Sequence, residues 1–243
     1  MKITAKTDVG LVRSNNQDSY AAGELPGGVT WAVVCDGMGG AAGGNVASAE
    51  AVKLISHSID EGYRNGMRPS SIRNLLESAI VSANACLFDM SQKDEALNGM
   101  GTTCVAMLVV DSTAYISHVG DSRAYIISDS GALRQLTRDH SVVQDLVENG
   151  SITSDEARHY PGKNIITRAL GVEETVCVDF CEEDISDDDI LLMCTDGLTN
   201  FVSDKDIVSA VSHGSFFEYS ERLVAMANSN GGGDNITVVA IAY

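Results

Sequence analysis

Short apolar runs separated by polar or glycine-containing turns make up most of this chain. Many of the runs are rich in Val, Ile and Thr, which favour extended backbone, and several of the turns between them have hairpin length. They predict β-strands at residues 2–8, 29–35, 102–110, 113–118, 124–128, 133–136, 176–180, 190–195 and 236–243.

Four other segments show the three-to-four-residue spacing of amphipathic helices. They cover residues 44–59, a stretch that begins at Pro69, residues 204–212 and residues 217–229. The helix after Pro69 has the strongest pattern, with one apolar stripe that runs from Ile72 to Leu87. Residues 141–171 are irregular and only partly helical, which predicts a flap-like segment.

The order of these elements is not the regular βαβ alternation of a parallel sheet. Strands come first, then two helices, many strands of hairpin type, two more helices and a last strand. This order predicts an α+β fold in which two antiparallel sheets pack together, with helices outside both. No linker composition interrupts the 243 residues, so we expect one domain over 1–243.

Aspartates beside glycine stand at the ends of several apolar runs. A buried strand has little reason to end in a carboxylate unless the charge is used there, and several such carboxylates are typical oxygen ligands for a hard cation. A single Asp-Gly pair is more often an ordinary turn, and Asp111 and Asp129 show turn aspartates without such a role between hairpin strands. The candidate ligands are Asp36, Asp121, Asp196 and Asp234.

Carboxylate and water ligands suit Mg²⁺ or Mn²⁺, and two such ions a few ångströms apart make a hydrolytic site. Such a site also needs a cation to hold the oxygens of a phosphoryl group. Arg13, in a polar stretch after the first predicted strand, offers a fork of donors that fits phosphate. A surface arginine without a ligand is the alternative interpretation of this residue.

The glycine-rich stretch 37–42 also matches the form G-x-G-x-x-A of dinucleotide-binding loops. Two features disfavour that interpretation. Asp36 directly before the first glycine would repel a pyrophosphate. The acid at the expected distance, Asp60, belongs to a helical pattern and not to the tip of a second strand.

The formal net charge of −18 argues against a nucleic-acid partner, whose phosphates need a basic surface. No apolar run reaches the length of a membrane span, and no signal peptide is evident at the start. The six cysteines form no CxxC motif. We therefore expect a cytoplasmic protein without a membrane or nucleic-acid partner.

Nine motifs, in order along the whole chain, resemble those of the metal-dependent Ser/Thr protein phosphatases, the PPM or protein phosphatase 2C family, and especially the small bacterial members. The motifs begin at Asp8, Arg13, Asp36, Gly101, Val119, Leu136, Ile166, Cys194 and Gly233. The first three read Asp8-Val-Gly, Arg13-Ser-Asn-Asn-Gln-Asp and Asp36-Gly-Met-Gly-Gly.

The resemblance implies a four-layer α-β-β-α sandwich with two Mn²⁺ or Mg²⁺ ions at one end of the sheets. By position, Asp36 would bridge the ions and the Gly37 carbonyl would complete one of them. Asp196 and Asp234 would bind the other ion, while Asp18 would act mainly through water. The implied reaction is direct attack of a bridging hydroxide on phosphoserine or phosphothreonine, with Arg13 holding the phosphate.

The resemblance also implies partners and a possible third ion. We expect phosphorylated proteins as substrates, a Ser/Thr kinase whose action the enzyme opposes, and a monomeric state. Relatives place a weaker third metal at the position of Asp121. The alternative for Asp121 is a turn cap or an ion pair with Arg123.

Two positions depart from the family pattern. Gln17 stands where a glutamate is common, which removes one charge near the metals. Met38 replaces the histidine of eukaryotic members, which leaves the general acid unassigned. His118, His140 and His159 are candidates by elimination, although structural histidines are the more ordinary interpretation.

Two rival functions stay open at the sequence level. One is a pseudophosphatase that binds phosphoproteins without turnover, against which the intact Arg13 and Asp36, Asp196 and Asp234 argue. The other is a metal hydrolase that acts on small phosphoesters or nucleotides. Turnover of a phosphothreonine peptide, compared with nucleotides, separates them.

Overall fold

A computed structural model describes residues 1–157 and 159–243. Arg158, within the predicted flap-like segment, lies outside the described residues, as do the side chains of Ala41 and Ala42. The strands are β1 Lys2–Asp8, β2 Asp18–Leu25, β3 Val29–Met38, β4 Gly101–Thr102, β5 Cys104–Val110, β6 Thr113–Val119, β7 Arg123–Ile127, β8 Leu133–Gln135, β9 Asp179–Asp184, β10 Ile190–Cys194 and β11 Ile236–Ala242. The helices are α1 Gly40–Gly62, α2 Pro69–Lys93, α3 Val142–Glu148, α4 Ser154–Ala157, α5 Asp196–Thr199, α6 Asp204–Val211 and α7 Tyr219–Ser229.

The strands form two sheets in which the assigned neighbours are antiparallel. One sheet has the order β1-β11-β10-β7-β8, and the other has the order β2-β3-β5-β6-β9, with β4 added beside β3. β1 pairs with β11 from Lys2 opposite Ala242 to Asp8 opposite Ile236. The first and last strands are therefore neighbours, as a single domain over 1–243 requires, although the division into domains stays a prediction.

Three apolar clusters explain the layering. Apolar side chains from both sheets, among them Val34, Met107 and Val239, meet in a central cluster between the sheets. A second cluster joins α1 and α2 to the outer face of the β2-to-β9 sheet. A third joins α5, α6 and α7 to the outer face of the other sheet. Two sheets between helical layers are the predicted α-β-β-α sandwich, and this prediction is confirmed.

Several strand boundaries differ from the sequence prediction. β2 was not predicted, because Asp18-Ser-Tyr-Ala-Ala-Gly-Glu-Leu25 has too few large apolar residues to stand out. β3 does not end at Asp36 but continues to Met38, since Gly37 and Met38 pair with β4. β9 covers Asp179–Asp184, whereas the sequence predicts a strand over 176–180. The acids at its end do not suggest a strand, but β9 lies at the edge of its sheet, where exposed acids are tolerated.

The stretch 37–42 lies between β3 and α1, but the sheet around β3 is antiparallel and Asp60 lies within α1. The dinucleotide interpretation therefore lacks both the parallel unit and the second strand tip that it needs. Within residues 141–171, only the short helices α3 and α4 are regular. Among the described residues, no helix is long and apolar enough to cross a membrane.

A candidate active site of clustered carboxylates

An open cleft of about 500 Å³ lies at one end of both sheets. Loops and strand ends that are distant in sequence meet there, because the register of both sheets brings them to the same edge. Six of the predicted site residues line the cleft: Arg13, Asp36, Gly37, Asp121, Asp196 and Asp234. The fifth predicted acid, Asp18, lies directly opposite Asp36 in the pairing of β2 with β3.

Hydrogen bonds on both sides hold the backbone of Asp36 in place. Its N–H donates to Thr103 Oγ1 at 2.9 Å, and its carbonyl oxygen accepts from Thr103 N–H at 2.9 Å and from the Thr102 hydroxyl at 2.9 Å. The Thr103 hydroxyl also meets that of Ser122 at 2.7 Å. Asp36 is therefore fixed by its main chain, while its side chain lines the cleft beside Asp196.

Gly37 is required by close packing and not by an unusual backbone angle. A Cβ at this position would collide with the carbonyl oxygen of Gly44 at the start of α1 and with that of Gln17. The Gln17 carbonyl oxygen accepts a hydrogen bond from Gly37 N–H at 3.1 Å, and the Gln17 side-chain amide donates to the Gly40 carbonyl oxygen at 3.0 Å. The main chain at Gly37 thus lies directly on the wall of the cleft.

Asp18 is 7% exposed and lies beneath the cleft. Its Oδ2 accepts from the hydroxyls of Thr195 at 2.9 Å and Thr237 at 2.7 Å. Its Oδ1 is buried without a hydrogen-bond partner. Burial raises the pKa of Asp18 to about 7, although the two hydroxyl bonds oppose the shift.

Asp196 begins α5 directly after β10. Its Oδ2 accepts from Asn200 Nδ2 at 2.9 Å, and Asn200 Oδ1 accepts in turn from Lys163 Nζ at 2.9 Å. Burial raises the pKa of Asp196 and Asp234 raises it further, while hydrogen bonding with Asp36 and Asn200 lowers it. Asp196 Oδ1 is a second buried carboxylate oxygen without a partner.

Arg13 forms a two-point pair with Asp234. Its Nη2 lies 2.9 Å from Asp234 Oδ2 and its Nε lies 2.9 Å from Asp234 Oδ1. The loop of Arg13 is tied down by Asn235, whose Oδ1 accepts from Gln17 N–H at 2.8 Å and whose Nδ2 donates to the carbonyl oxygens of Val9 and Asn15. The guanidinium therefore lies at the cleft wall, where a phosphate can compete for the same donors.

Asp121 follows β6 and faces the cleft. The predicted alternative, an ion pair with Arg123, is not the arrangement found, because Arg123 forms a forked pair with Asp139 at 2.7–3.0 Å. Burial raises the pKa of Asp121 to about 7, and the charge of Asp196 adds to the shift.

The carboxylates of the cleft lie close enough to repel one another, so the metal-free cleft disfavours the state in which all of them are ionised. Burial raises the pKa of Asp36 well above its usual range, and the charges of Asp18, Asp196, Asp121 and Asp234 raise it further. Two orphaned carboxylate oxygens and several acids that repel one another are what a site for hard cations requires. The residues present fit bound Mg²⁺ or Mn²⁺.

A second group of ligand-type side chains, His118, His140 and Asp179, lies outside this cleft with candidate ligand atoms within 4.8 Å of one another. His140 Nδ1 accepts from Gly120 N–H at 3.0 Å, so the neutral ring carries its proton on Nε2, which faces Asp179 at 3.3 Å. A metal would need that nitrogen deprotonated. Arg168, 2.7 Å from Asp179, already supplies a positive charge there.

These contacts favour the structural interpretation of His118 and His140, whose rings stack at 4.8 Å between centroids. Burial lowers the pKa of both rings. Neither histidine lines the carboxylate cleft, and His159 is exposed and does not line it either. We therefore find no histidine among the described residues in position to act as the general acid at the cleft.

Comparison with known proteins decides the family. The family model described as Protein phosphatase 2C matches residues 12–237. The chain belongs to the protein phosphatase 2C family. As a member of this metal-dependent family, it is a serine/threonine protein phosphatase, and its substrates are phosphoproteins.

Relatives agree with this assignment over nearly their whole length. The chain is 39% identical to the serine/threonine phosphatase stp of Listeria monocytogenes over 237 residues, which is 97% of this chain and 93% of that protein. The structure of the Streptococcus agalactiae serine/threonine phosphatase superposes with a TM-score of 0.93 at 35% identity and covers 100% of this chain and 99% of that one.

A structure of the catalytic domain of the phosphatase PstP in complex with two manganese ions superposes with a TM-score of 0.84 at 34% identity, and covers 98% of this chain and 96% of that one. The phosphatase 2C fold of this chain thus has a relative of known metal content.

Several residues of this phosphatase 2C site were not predicted. Asn200 and Lys163 support Asp196, Asn235 supports the Arg13 loop, and Thr103 supports Asp36. Asn235 and Thr103 belong to motifs that the sequence shows, but only the folded contacts reveal what their side chains hold. Lys163 carries no sequence signal because its partner Asn200 is 37 residues away, and Asn200, four residues after Asp196, belongs to none of the motifs that the sequence shows.

Proposed function

We propose that this phosphatase hydrolyses phosphoserine and phosphothreonine in proteins with two Mn²⁺ or Mg²⁺ ions bound at the carboxylate cleft. The observation that carries the proposal is the meeting of Asp36, Asp196 and Asp234 in one cleft beside Arg13. Asp36, the Gly37 carbonyl, Asp196 and Asp234 would hold the ions, and Asp18 would act from beneath through water. Bound ions would supply activated water at neutral pH and positive charge for the phosphoryl oxygens.

The protein groups have separate tasks in this proposal. Thr103 fixes Asp36, and Asn200 orients Asp196, so that the ligands are in place before substrate arrives. Arg13 exchanges its pair with Asp234 for the substrate phosphate, to which its fork can donate two parallel hydrogen bonds. Arg13 therefore positions the phosphorus atom and does not build the metal site.

We place a third, weaker ion at Asp121, shared with Asp196. Asp121 faces the same cleft, and Arg123 does not neutralise it by direct pairing. Few protein charges would hold such an ion, which predicts weak binding. Crystals soaked in millimolar Mn²⁺ test this point. Three metal peaks support it, whereas two peaks together with unaltered kinetics of Asp121→Ala contradict it.

We further propose that the enzyme opposes a Ser/Thr kinase in the cytoplasm and acts as a monomer. All six cysteines are free, and three of them, Cys35, Cys104 and Cys194, are buried, as suits a reducing compartment. Light scattering coupled to gel filtration tests the monomer, which has a mass of 25.7 kDa.

The central experiment compares a phosphothreonine peptide with nucleotides as substrates, with and without EDTA. We expect rapid turnover of the peptide in Mn²⁺, none in EDTA and almost none for Asp196→Asn. Asp129→Asn, which changes an exposed turn aspartate, is the matched control and should behave as wild type.

Three outcomes refute parts of the proposal. Turnover that survives both EDTA and Asp196→Asn refutes the metal site. Preference for nucleotides identifies a small-phosphoester hydrolase, and tight binding of the phosphopeptide without turnover identifies a pseudophosphatase.

A further inference from the structure

A second cavity, of about 280 Å³, lies beside the carboxylate cleft. We call it the second pocket and define it by the side chains that matter here: Met38, Ile166, Arg168, Val172, Val176 and Cys177. Nothing in the carboxylate chemistry requires this cavity. It is formed where the end of the flap-like segment meets the chain after Gly171.

The second pocket and the carboxylate cleft share a wall. Met38 and Ile166 line both cavities. Met38 lies two residues after Asp36 at the end of β3. A substrate segment whose phosphorylated residue enters the cleft therefore places a neighbouring residue over this wall, since extended chain advances only about 3.3 Å per residue.

The far wall of the pocket is held from beneath by a buried polar residue. Asn84 on α2 is 1% exposed, and its Oδ1 accepts from Gly171 N–H at 2.8 Å. Its Nδ2 donates to the carbonyl oxygens of Glu173 at 3.0 Å and Glu174 at 3.2 Å. A buried amide that makes three bonds to one loop fixes that loop, so the wall at Val172 is preformed.

The pocket is also connected mechanically to the cleft. Thr102 and Leu170 exchange backbone hydrogen bonds at 3.1 and 2.8 Å, and the Thr102 hydroxyl donates to the carbonyl oxygen of Asp36. The chain at 170 therefore cannot move away without disturbing the backbone of Asp36. The two cavities keep a fixed relative position.

Gly101 allows the two apolar walls to approach each other. A Cβ at this position would lie 2.8 Å from Val172 Cγ2 and 2.9 Å from Met38 Cε. A Cβ this close would require the ends of the Met38 and Val172 side chains to shift. Glycine thus lets both side chains pack against the backbone at residue 101.

Met38, Ile166, Val172 and Val176 give the second pocket an apolar wall, and the polar residues Thr167, Glu173 and Thr175 line the rest of it with Arg168. Arg168 forms an ion pair with Asp179 at 2.7 Å, so its charge is already neutralised and needs no anionic ligand. Val172 is 47% exposed, although aliphatic side chains are favoured inside. An apolar side chain delivered by the substrate would cover it.

We propose that the second pocket binds an aliphatic or aromatic side chain of the phosphoprotein, from a residue near the phosphorylated serine or threonine. The proposal rests on the proposed function of the adjacent cleft, and it names a specificity determinant of that site. Phosphoproteins with such a neighbour are the preferred substrates, and glycine at that position weakens turnover.

The first test scans leucine against glycine through the positions on either side of phosphothreonine in one host peptide. At one of those positions we expect kcat/KM to favour leucine by about tenfold or more, the effect of filling a preformed apolar pocket. Val172→Glu should remove most of this leucine-to-glycine ratio, because it places a carboxylate at the pocket wall.

The matched control is Val81→Glu. Val81 is 46% exposed, equivalent to Val172, but it lies on α2 and does not line either cavity. This variant should keep the leucine-to-glycine ratio of wild type. Loss of the ratio in both variants would show a general effect of added charge and would overturn the proposal.

A chemical test uses Cys177, which is exposed at the pocket, whereas the other cysteines are buried or partly buried. Alkylation with iodoacetamide should lower the leucine-to-glycine ratio of wild type and leave that of alkylated Cys177→Ser unchanged. An equal response of the two proteins would count against occupation of this pocket.

The outcomes separate this proposal from the proposed function. A wild-type enzyme that hydrolyses every peptide of the scan at one rate overturns the second pocket as a specificity site but leaves the phosphatase mechanism intact. A wild-type enzyme that hydrolyses an aryl phosphate but no phosphopeptide overturns both.

Discussion

The guanidinium of Arg13 faces the cleft but is paired with Asp234, so it can bind either a substrate phosphate or this carboxylate. We expect Arg13→Ala to lower kcat/KM for a phosphopeptide by about 10- to 100-fold, the effect of losing charge-assisted hydrogen bonds. Mn²⁺ affinity should stay the same or rise, because the Asp234 carboxylate is released. Arg13→Lys should recover only part of the activity, since a point charge replaces a fork.

Steady-state kinetics and calorimetric titration of Mn²⁺ measure these two effects separately. A large loss of Mn²⁺ affinity in Arg13→Ala would move this arginine from the substrate to the metal site.

The carboxylates of the cleft also predict how the metal-free protein responds to pH. Burial and Asp196 raise the pKa of Asp121 to about 7, so between pH 4 and 7 the folded state binds a proton that the unfolded state lacks. This contribution to stability is present at low pH and is lost as the pH rises through about 7. Asp121→Asn should therefore raise the melting temperature of the metal-free protein at pH 8 more than at pH 5.

Calorimetry in EDTA at the two pH values measures the effect. A variant that is equally stabilised, or destabilised, at both values would show that charge at Asp121 does not limit the metal-free fold.

At the scale of elements, the flap-like segment 141–171 meets the site directly, since Asn164 and Ile166 line the cleft, and also through a chain of side chains. Lys163 donates to Asn200, which donates to Asp196. Replacing residues 151–157 by a Gly/Ser segment of equal length should change turnover of phosphoproteins more than that of an aryl phosphate, because only a protein substrate extends beyond the cleft. Equal losses on the two substrates would contradict a role in substrate choice.

Strong local patterns made most elements predictable. The apolar runs of β3, β5, β10 and β11 are buried, and the stripe of α2 lies in the cluster beneath one sheet. β2 was missed because its role comes from pairing with β3 and not from its own composition. The extent of β3 was missed because β4, a two-residue strand from a distant part of the chain, extends it past Asp36.

The candidate site was predictable to the extent that its residues carry a local signal. Asp36, Asp121, Asp196 and Asp234 stand beside glycines near strand ends, so the pattern alone selected them. The supporting role of Lys163, and the cavity between Met38 and Val172, depend on contacts between distant segments. Such contacts follow from the fold and leave no periodic pattern in the sequence.

At the scale of the whole molecule, metal binding should stabilise the fold, because the ligands are assembled only in the folded state. Ions present at 100 times their Kd add about 2.7 kcal/mol, and each kcal/mol raises Tm by about 2–4 °C for a chain of this size. We expect Mn²⁺ to raise Tm by roughly 5–10 °C. Asp196→Asn should lose most of this shift. A shift of equal size in that variant would place the bound ions elsewhere.

The pairing of β1 with β11 determines when the enzyme can first act. A ribosome makes Asp18 and Asp36 about 200 residues before Asp234 and β11. Until β11 inserts between β1 and β10, the central cluster lacks one of its walls and the cleft lacks Asp234. We therefore expect a product truncated before residue 234 to be inactive, however well its other strands fold.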